Sequence, residues 1–299
     1  MAAAIANPSV VRANLNYLLP GGGADADGFY PGTASNLRRK FDVREVPITD
    51  VRSVNDTFDI DKHGFKFVPR EGKFNEFDNK EQTAQHWYPE VIELLKKHLG
   101  AADAKPLLHF VRNETVESAL ADAATMADHD TVTKMVPFRV IHVDNSYDGS
   151  YGFLEGFVGS EEAEKWSKGR WGIVNVWYPL KTVERDPLAV CDASSVREED
   201  LYPLAIRRPA DAVNENFTNT PKNMKANESW HVYYNDEHRW YYKSKMTPEE
   251  ALLIRIYDSE KDGRARRCPH TAFELADQDA QMPNRTSIET RCVVRWDDE

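Results

Sequence analysis

The sequence predicts an α+β chain with its helices gathered on the N-terminal side and a β-sandwich or barrel in its second half. Two observations carry this. From about residue 135 onward, seven β-branched or aromatic segments (FRVIHVD, GIVNVWYPL, PLAVCDA, SWHVYYN, RWYYKSK, ALLIRIYD and SIETRCVVRW) alternate with turn signals. Before them, Trp87, Val91, Leu94, Leu95 and Leu99 recur at the spacing of one helix face. No internal repeat or low-complexity linker divides the chain. The expectation is therefore one domain over 1–299, with residues 1–134 as an arm and supporting region and 135–299 as the β core.

Taken in order, the first 30 or so residues, with GGGADADG at 21–28, read as an irregular arm. VREVPITDV and GFKFVPR between residues 41 and 70 read as short strands. Pro89 fits the first turn of the helix that carries Trp87 and Leu95. Residues 114–130 suggest a second, Ala-rich helix. Thr247-Pro248-Glu249-Glu250 has the pattern of a capping box with proline at the first helical position, so one helical turn is expected to interrupt the strands.

The formal net charge is −11 over 299 residues, and no Lys/Arg-rich run is present. Such a chain is a poor binder of nucleic acid or anionic membrane. No apolar run is long enough to span a bilayer, and the N-terminus lacks the basic and apolar regions of a signal peptide. The three cysteines, Cys191, Cys268 and Cys292, are odd in number and without CxxC spacing, so they read as free thiols of a reducing compartment. A cytoplasmic protein is expected.

The candidate chemistry begins at His142 and Asp144 in VIHVDNS. Residues two apart on a strand share a face, so the pair is half of a metal site or the polar end of a strand entering an Asn/Asp/Gly-rich turn. One His-x-Asp in a chain of this length is what chance gives. A mononuclear iron oxygenase needs two imidazoles and one carboxylate on one side of the metal, hence a second, distant histidine. His63, His86, His98, His109 and His129 precede the β-rich half, in helical or loop regions. His231 and His238 read as packed histidines of aromatic strands, which leaves His270 in CPHTAF as the best placed. On the last strand Arg285, Ser287, Glu289 and Arg291 fall at successive i+2 positions. An Arg-x-Ser about 15 residues beyond the distal histidine suits a dicarboxylate, gripped by the guanidinium and a hydroxyl. Arg291 is an alternative carboxylate partner, and a solvated charged edge is the plain alternative to both. Asn175 is either a cosubstrate contact or a core asparagine.

Beyond these spacings, an ordered series of motifs resembles the hydroxylase/desaturase family of fungal and bacterial secondary metabolism. The series is IHVDNS at 141–146, NVWYPL at 175–180, DPLAVCDASSV at 186–196, HRWYYKSKMTPEEALLIRIYDS at 238–259, PHTAFE at 269–274 and RTSIETR at 285–291, with HGF at 63–65 and HWYPE at 86–90 extending it. The resemblance implies a double-stranded β-helix (jelly-roll, cupin-like) core with N-terminal helices outside it. It also implies Fe(II), 2-oxoglutarate and O2 as cofactors, with release of succinate and CO2. It assigns His142, Asp144 and His270 to the metal and an arginine of the last strand, Arg285 with Ser287 or Arg291, to 2-oxoglutarate. The expected substrate is a small, largely apolar metabolite (terpenoid, meroterpenoid or peptide-derived), undergoing hydroxylation, desaturation or endoperoxide formation. A homodimer is an open assembly. Trp177-Tyr178-Pro179 departs from the usual Trp-Arg-Pro, which leaves the role of Tyr178 open. Two readings from other classes compete: a Zn-dependent cupin-like hydrolase or isomerase, and a catalytically silent ligand-binding barrel.

Overall fold

In the computed structural model, which describes residues 9–207 and 227–297, thirteen strands form two sheets. The larger runs β1 (Val10–Tyr17), β2 (Asp42–Asp50), β10 (Trp240–Tyr242), β7 (Leu188–Cys191), β12 (His270–Ala272), β5 (His142–Val143), β9 (Glu228–Val232), β8 (Leu201–Ala205). The smaller runs β3 (Phe65–Pro69), β11 (Glu250–Asp258), β6 (Trp171–Pro179), β13 (Ser287–Arg295), β4 (Asp103–Arg112). Pairing is antiparallel except for β2 with β10. This is a double-stranded β-helix core with few helices.

Side-chain alternation along the smaller sheet explains its position between two apolar layers. Ile173 and Trp177 of β6, Leu252 and Ile254 of β11 and Val293 of β13 share a core with Val143 and Val190 of the larger sheet. Their neighbours Val174, Val176, Tyr178, Leu253, Ile288, Cys292 and Val294 face the other way, onto helix α3 (Lys80–Leu99). α3 is capped by Asn79, whose side chain accepts from the Gln82 amide at 2.9 Å, and stopped by Gly100 in the left-handed region. Trp87, fully buried, ties it to the sheet through Nε1 donating to Thr290 Oγ1 at 2.8 Å. The larger sheet curls until the chain after β1 reaches the end of β9, where the Leu18 amide donates to the Val232 carbonyl at 2.8 Å. Leu15, Tyr17, Ile48, Ile141 and Trp240 pack inside that curl.

All seven expected strands are present, FRVIHVD only as the two residues of β5, and β4, β8 and β12 were not anticipated. Five expectations are corrected. The N-terminal arm contains β1, the edge of the larger sheet. Pro89 lies mid-helix, because α3 starts at Lys80 rather than near Trp87. The Ala-rich stretch is helical only as α4 (Val116–Ala123), after α1 (Ala34–Leu37) and α2 (Ile60–His63). At Thr247 the Glu250 carboxylate does accept the Thr247 amide at 3.0 Å, but the chain runs straight into β11 without a helical turn. Helices also continue past residue 135, as α5 (Tyr147–Val158) and α6 (Ser160–Trp166).

Tyr178 has a plain role. It points away from the inter-sheet core, stacks near Trp87 at 5.4 Å, and carries the Arg70 guanidinium over its ring at 4.2 Å and on its hydroxyl. Its departure from the usual arginine concerns the helix-facing side of β6.

Candidate metal centre

β5 lies between β12 and β9, and the ladder sets His142 opposite both His270 and His231. Directly opposed residues of antiparallel strands project to the same face, so His142 and His270 meet, with ring centroids 4.5 Å apart. Asp144 follows where β5 gives way to α5. The expected Asn/Asp/Gly-rich turn is instead a helix start: Ser146 Oγ accepts the Gly149 amide at 2.9 Å, and Ser146 Oγ donates to the Glu228 carboxylate of β9. A Cβ on Gly149 would stand 2.3 Å from the Glu228 carbonyl oxygen, so glycine is what lets α5 begin this close to the sheet. That junction fixes Asp144.

One ligand atom from each of His142, Asp144 and His270 lies within 4.8 Å of the others. Asp144 Oδ1 is 3.5 Å from His142 Nε2, and Oδ2 is 3.8 Å from His270 Nε2. Each imidazole bonds through Nδ1 to the carbonyl two residues back, His142 to Val140 at 2.8 Å and His270 to Cys268 at 3.1 Å. Donating that Nδ1–H leaves Nε2 of each ring as a lone pair. His270 Nε2 is buried and has no hydrogen-bond partner. Burial, then the neighbouring His142, lowers the His270 pKa to about 4, which keeps the ring neutral. Two imidazoles and a carboxylate converging from one side, with an orphaned nitrogen among them, fit a divalent metal ion.

Asn175 and Arg291 were not foreseen in the roles the structure gives them. Arg291 Nη2 donates to Asp144 Oδ1 at 2.5 Å, Asn175 Nδ2 to Asp144 Oδ2 at 2.7 Å, and Arg291 Nε to Asn175 Oδ1 at 3.3 Å. Burial alone would raise the Asp144 pKa, but Arg291 and the two histidines hold it well below the usual carboxylate range. Glu289 behaves oppositely: burial and the Asp144 charge push its pKa up. The register Arg291↔Asn175 between β13 and β6 could have suggested the pairing, had the strand order been known.

Arg285 precedes β13 by two residues and Ser287 is its first residue, on the strand that carries Arg291. Arg285 is buried, donates Nη1 to the Asp186 carbonyl at 2.8 Å, and leaves Nε without a partner. Ser287 Oγ is likewise buried and unpaired. Burial, reinforced by Arg112, lowers the Arg285 pKa to about 9. Among the other histidines, His238 is a packed one, held between Asp200 at 3.2 Å and the Tyr17 hydroxyl at 3.3 Å. His109, expected in a helix or loop, is on β4 and meets Tyr88 at 3.0 Å.

A two-histidine, one-carboxylate set inside a double-stranded β-helix is the donor arrangement of mononuclear non-haem iron oxygenases. Comparison with known proteins narrows the class. A family model described as an oxidoreductase/YMDC permease-like domain matches residues 15–295. The hydroxylase/desaturase efuI of Hormonema carpetanum is 38% identical over 100% of this chain and 99% of its own. The alpha-ketoglutarate-dependent dioxygenase phiK of a fungal species is 33% identical over 97% of each chain. A solved structure of the iron and alpha-ketoglutarate-dependent endoperoxidase NvfI superposes with a TM-score of 0.74, covering 98% of this chain and all of that one at 21% identity, a likeness of fold. The chain belongs to the hydroxylase/desaturase family of Fe(II)/2-oxoglutarate-dependent oxygenases. It is an oxidoreductase of secondary metabolism that uses Fe(II), 2-oxoglutarate and O2 on a small-molecule substrate. Among the described residues, no helix is long and apolar enough to cross a membrane.

Proposed function

We propose that His142, Asp144 and His270 are the iron ligands, and that Arg285 with Ser287 holds the far carboxylate of 2-oxoglutarate. The observation that carries the ligand assignment is the convergence of the two Nε2 atoms, each freed by its Nδ1 bond, on the Asp144 carboxylate. When bound, iron supplies the activation of O2 with oxidative decarboxylation of 2-oxoglutarate to succinate and CO2, and through it oxidation of a C–H bond. The protein's own part is orientation. Asn175 and Arg291 fix both oxygens of Asp144, and the Val140 and Cys268 carbonyls fix the tautomers of the rings.

Arg285 is favoured over Arg291 as the cosubstrate anchor because its Nε and the Ser287 hydroxyl are buried and unpaired, whereas Arg291 is already bound to Asp144 and Asn175. A carboxylate would satisfy both orphaned groups. The substrate on this reading is a largely apolar terpenoid, meroterpenoid or peptide-derived metabolite, in keeping with relatives named hydroxylase/desaturase. The chain would act as one oxygenase domain in the cytoplasm, where its three buried free cysteines stay reduced.

The test is anaerobic. Metal-free protein receives Fe(II), then 2-oxoglutarate, and the visible spectrum is recorded; a charge-transfer band that needs both is expected. His142→Ala, Asp144→Ala and His270→Ala should each abolish it. Retention of the full band in any of the three would refute that ligand.

A further inference from the structure

We propose that Arg39 and His231 form a second buried anchor, one strand away from the metal ligands, which takes a carboxylate borne by the otherwise apolar substrate. The inference rests on the ligand assignment above and deepens it by naming a chemical handle on the substrate.

His231 is opposite His142 in the β5–β9 ladder, so the two share a sheet face at the spacing of neighbouring strands, about 4.5–5.5 Å between Cα atoms. It is 1% exposed, and neither ring nitrogen has a hydrogen-bond partner. The Phe29 and His231 rings meet edge to face, 5.0 Å apart at 74°. Over the same Phe29 ring, 4.8 Å from its centroid, lies the Arg39 guanidinium, which also sits 5.2 Å from the Phe41 ring. The Arg39 side chain is 3% exposed. Its Nε is paired with Asp25 at 2.7 Å, yet Nη1 and Nη2 are both buried without a partner.

Leaving a buried donor unsatisfied costs about 1–3 kcal/mol, more when it is charged. Here two guanidinium nitrogens and two imidazole nitrogens stand orphaned around one aromatic ring. Arg255 and Arg170, by contrast, close on Asp61 and Asp258 within the protein. The free edge of Arg39, two parallel N–H groups, matches a carboxylate. An imidazole carries at least one N–H, and with neither ring nitrogen partnered His231 has one further hydrogen bond to donate. Phe29 and Phe41 offer the apolar surface that a hydrocarbon skeleton needs. A carboxylate held there would leave a C–H bond of the same molecule at His142 and the metal.

The test uses the Fe(II)–2-oxoglutarate protein without O2. Probes are C10–C20 terpenoid carboxylic acids, each paired with its methyl ester, and affinities come from titration calorimetry. Acids should bind at least roughly tenfold tighter than their esters, the worth of one charge-assisted hydrogen bond. Arg39→Gln should bring the acid-to-ester ratio close to one, and His231→Gln should lower it, with the visible iron–2-oxoglutarate band unchanged in both. Arg39→Lys, which keeps the charge without the fork, should give an intermediate ratio. Equal affinity for acid and ester in the unmodified protein, no binding of any acid, or a preference that survives Arg39→Gln would overturn the proposal. Loss of the visible band in the unmodified protein would instead overturn the ligand assignment, and the acid–ester ratio measured on metal-free protein would still report on Arg39.

Discussion

At the scale of single residues, the candidate centre separates groups that hold the metal from groups that hold the holders. Asn175 touches no ligand nitrogen, yet its amide fixes Asp144 Oδ2 at 2.7 Å. Asn175→Ala should therefore leave the fold in place and weaken Fe(II) retention by roughly 10–100-fold, as changes to outer partners of metal ligands do. Competition with a coloured chelator would read this, and unchanged affinity would show that Arg291 alone suffices. Arg285→Gln should act on the other side, raising the KM for 2-oxoglutarate by roughly tenfold to a hundredfold for a lost charge-assisted bond of about 1.5–3 kcal/mol. Iron affinity without cosubstrate should not move. A change in iron affinity with a constant KM would return the anchor to Arg291. Sequence spacing picked out His142 with Asp144, and Arg285 with Ser287 and Arg291, because i+2 periodicity can be read along one strand, while His270 came from its place among the later strands and from the family resemblance. Asn175, Arg39 and His231 were not legible in these roles. Asn175 and His231 acquire their meaning from neighbours more than 30 positions away across a strand, and Arg39 from its place over the Phe29 ring.

At the scale of elements, strands were legible and their edges were not. GIVNVWYPL and SIETRCVVRW are apolar on both faces because α3 covers one side and the larger sheet the other, and such runs announce themselves. β12 is three residues of CPHTAF and β5 two residues of FRVIHVD, too short for any periodicity, and yet these two carry the candidate histidine ligands. α5 was hidden by its glycines, of which Gly149 is needed for its approach to β9. Gly149→Ala should push α5 off Glu228 and displace Asp144. Both melting temperature and iron affinity should fall, whereas Gly263→Ala, at a loop glycine with open space around it, should leave iron affinity alone. On the outer face, Trp87→Ala should cost about 3–5 kcal/mol in chemical denaturation, because it empties the α3 interface and strands Thr290 without its partner. A loss below about 1 kcal/mol would mean α3 is not a structural wall of the sheet.

For the whole molecule, the curl of the larger sheet could not be read in advance, since it depends on contacts such as Leu18 with Val232 that join distant parts of the chain. The overall distribution of buried imidazoles was equally hidden, and it has a consequence for stability. Burial, with Lys80 adding to it, lowers the His109 pKa to about 4, and burial lowers those of His231 and His238 as well. Above pH 6.5 these rings are neutral in the folded and unfolded chain alike, so they set no pH dependence. As pH falls below 6.5 the unfolded chain takes up protons that the folded chain refuses. Stability therefore declines by at most about 1.4 kcal/mol per pH unit for each proton, down to about pH 4 for His109, with His231 adding to the same fall. Denaturant unfolding of the metal-free protein between pH 7.5 and 4.5 should show this fall beginning near 6.5. His109→Gln, which keeps a polar partner for the Tyr88 hydroxyl, should make the slope shallower by the share of one proton. A flat profile from 7.5 to 5, or a slope untouched by His109→Gln, would mean that water reaches these rings and that the β core is looser around β4 than its packing implies.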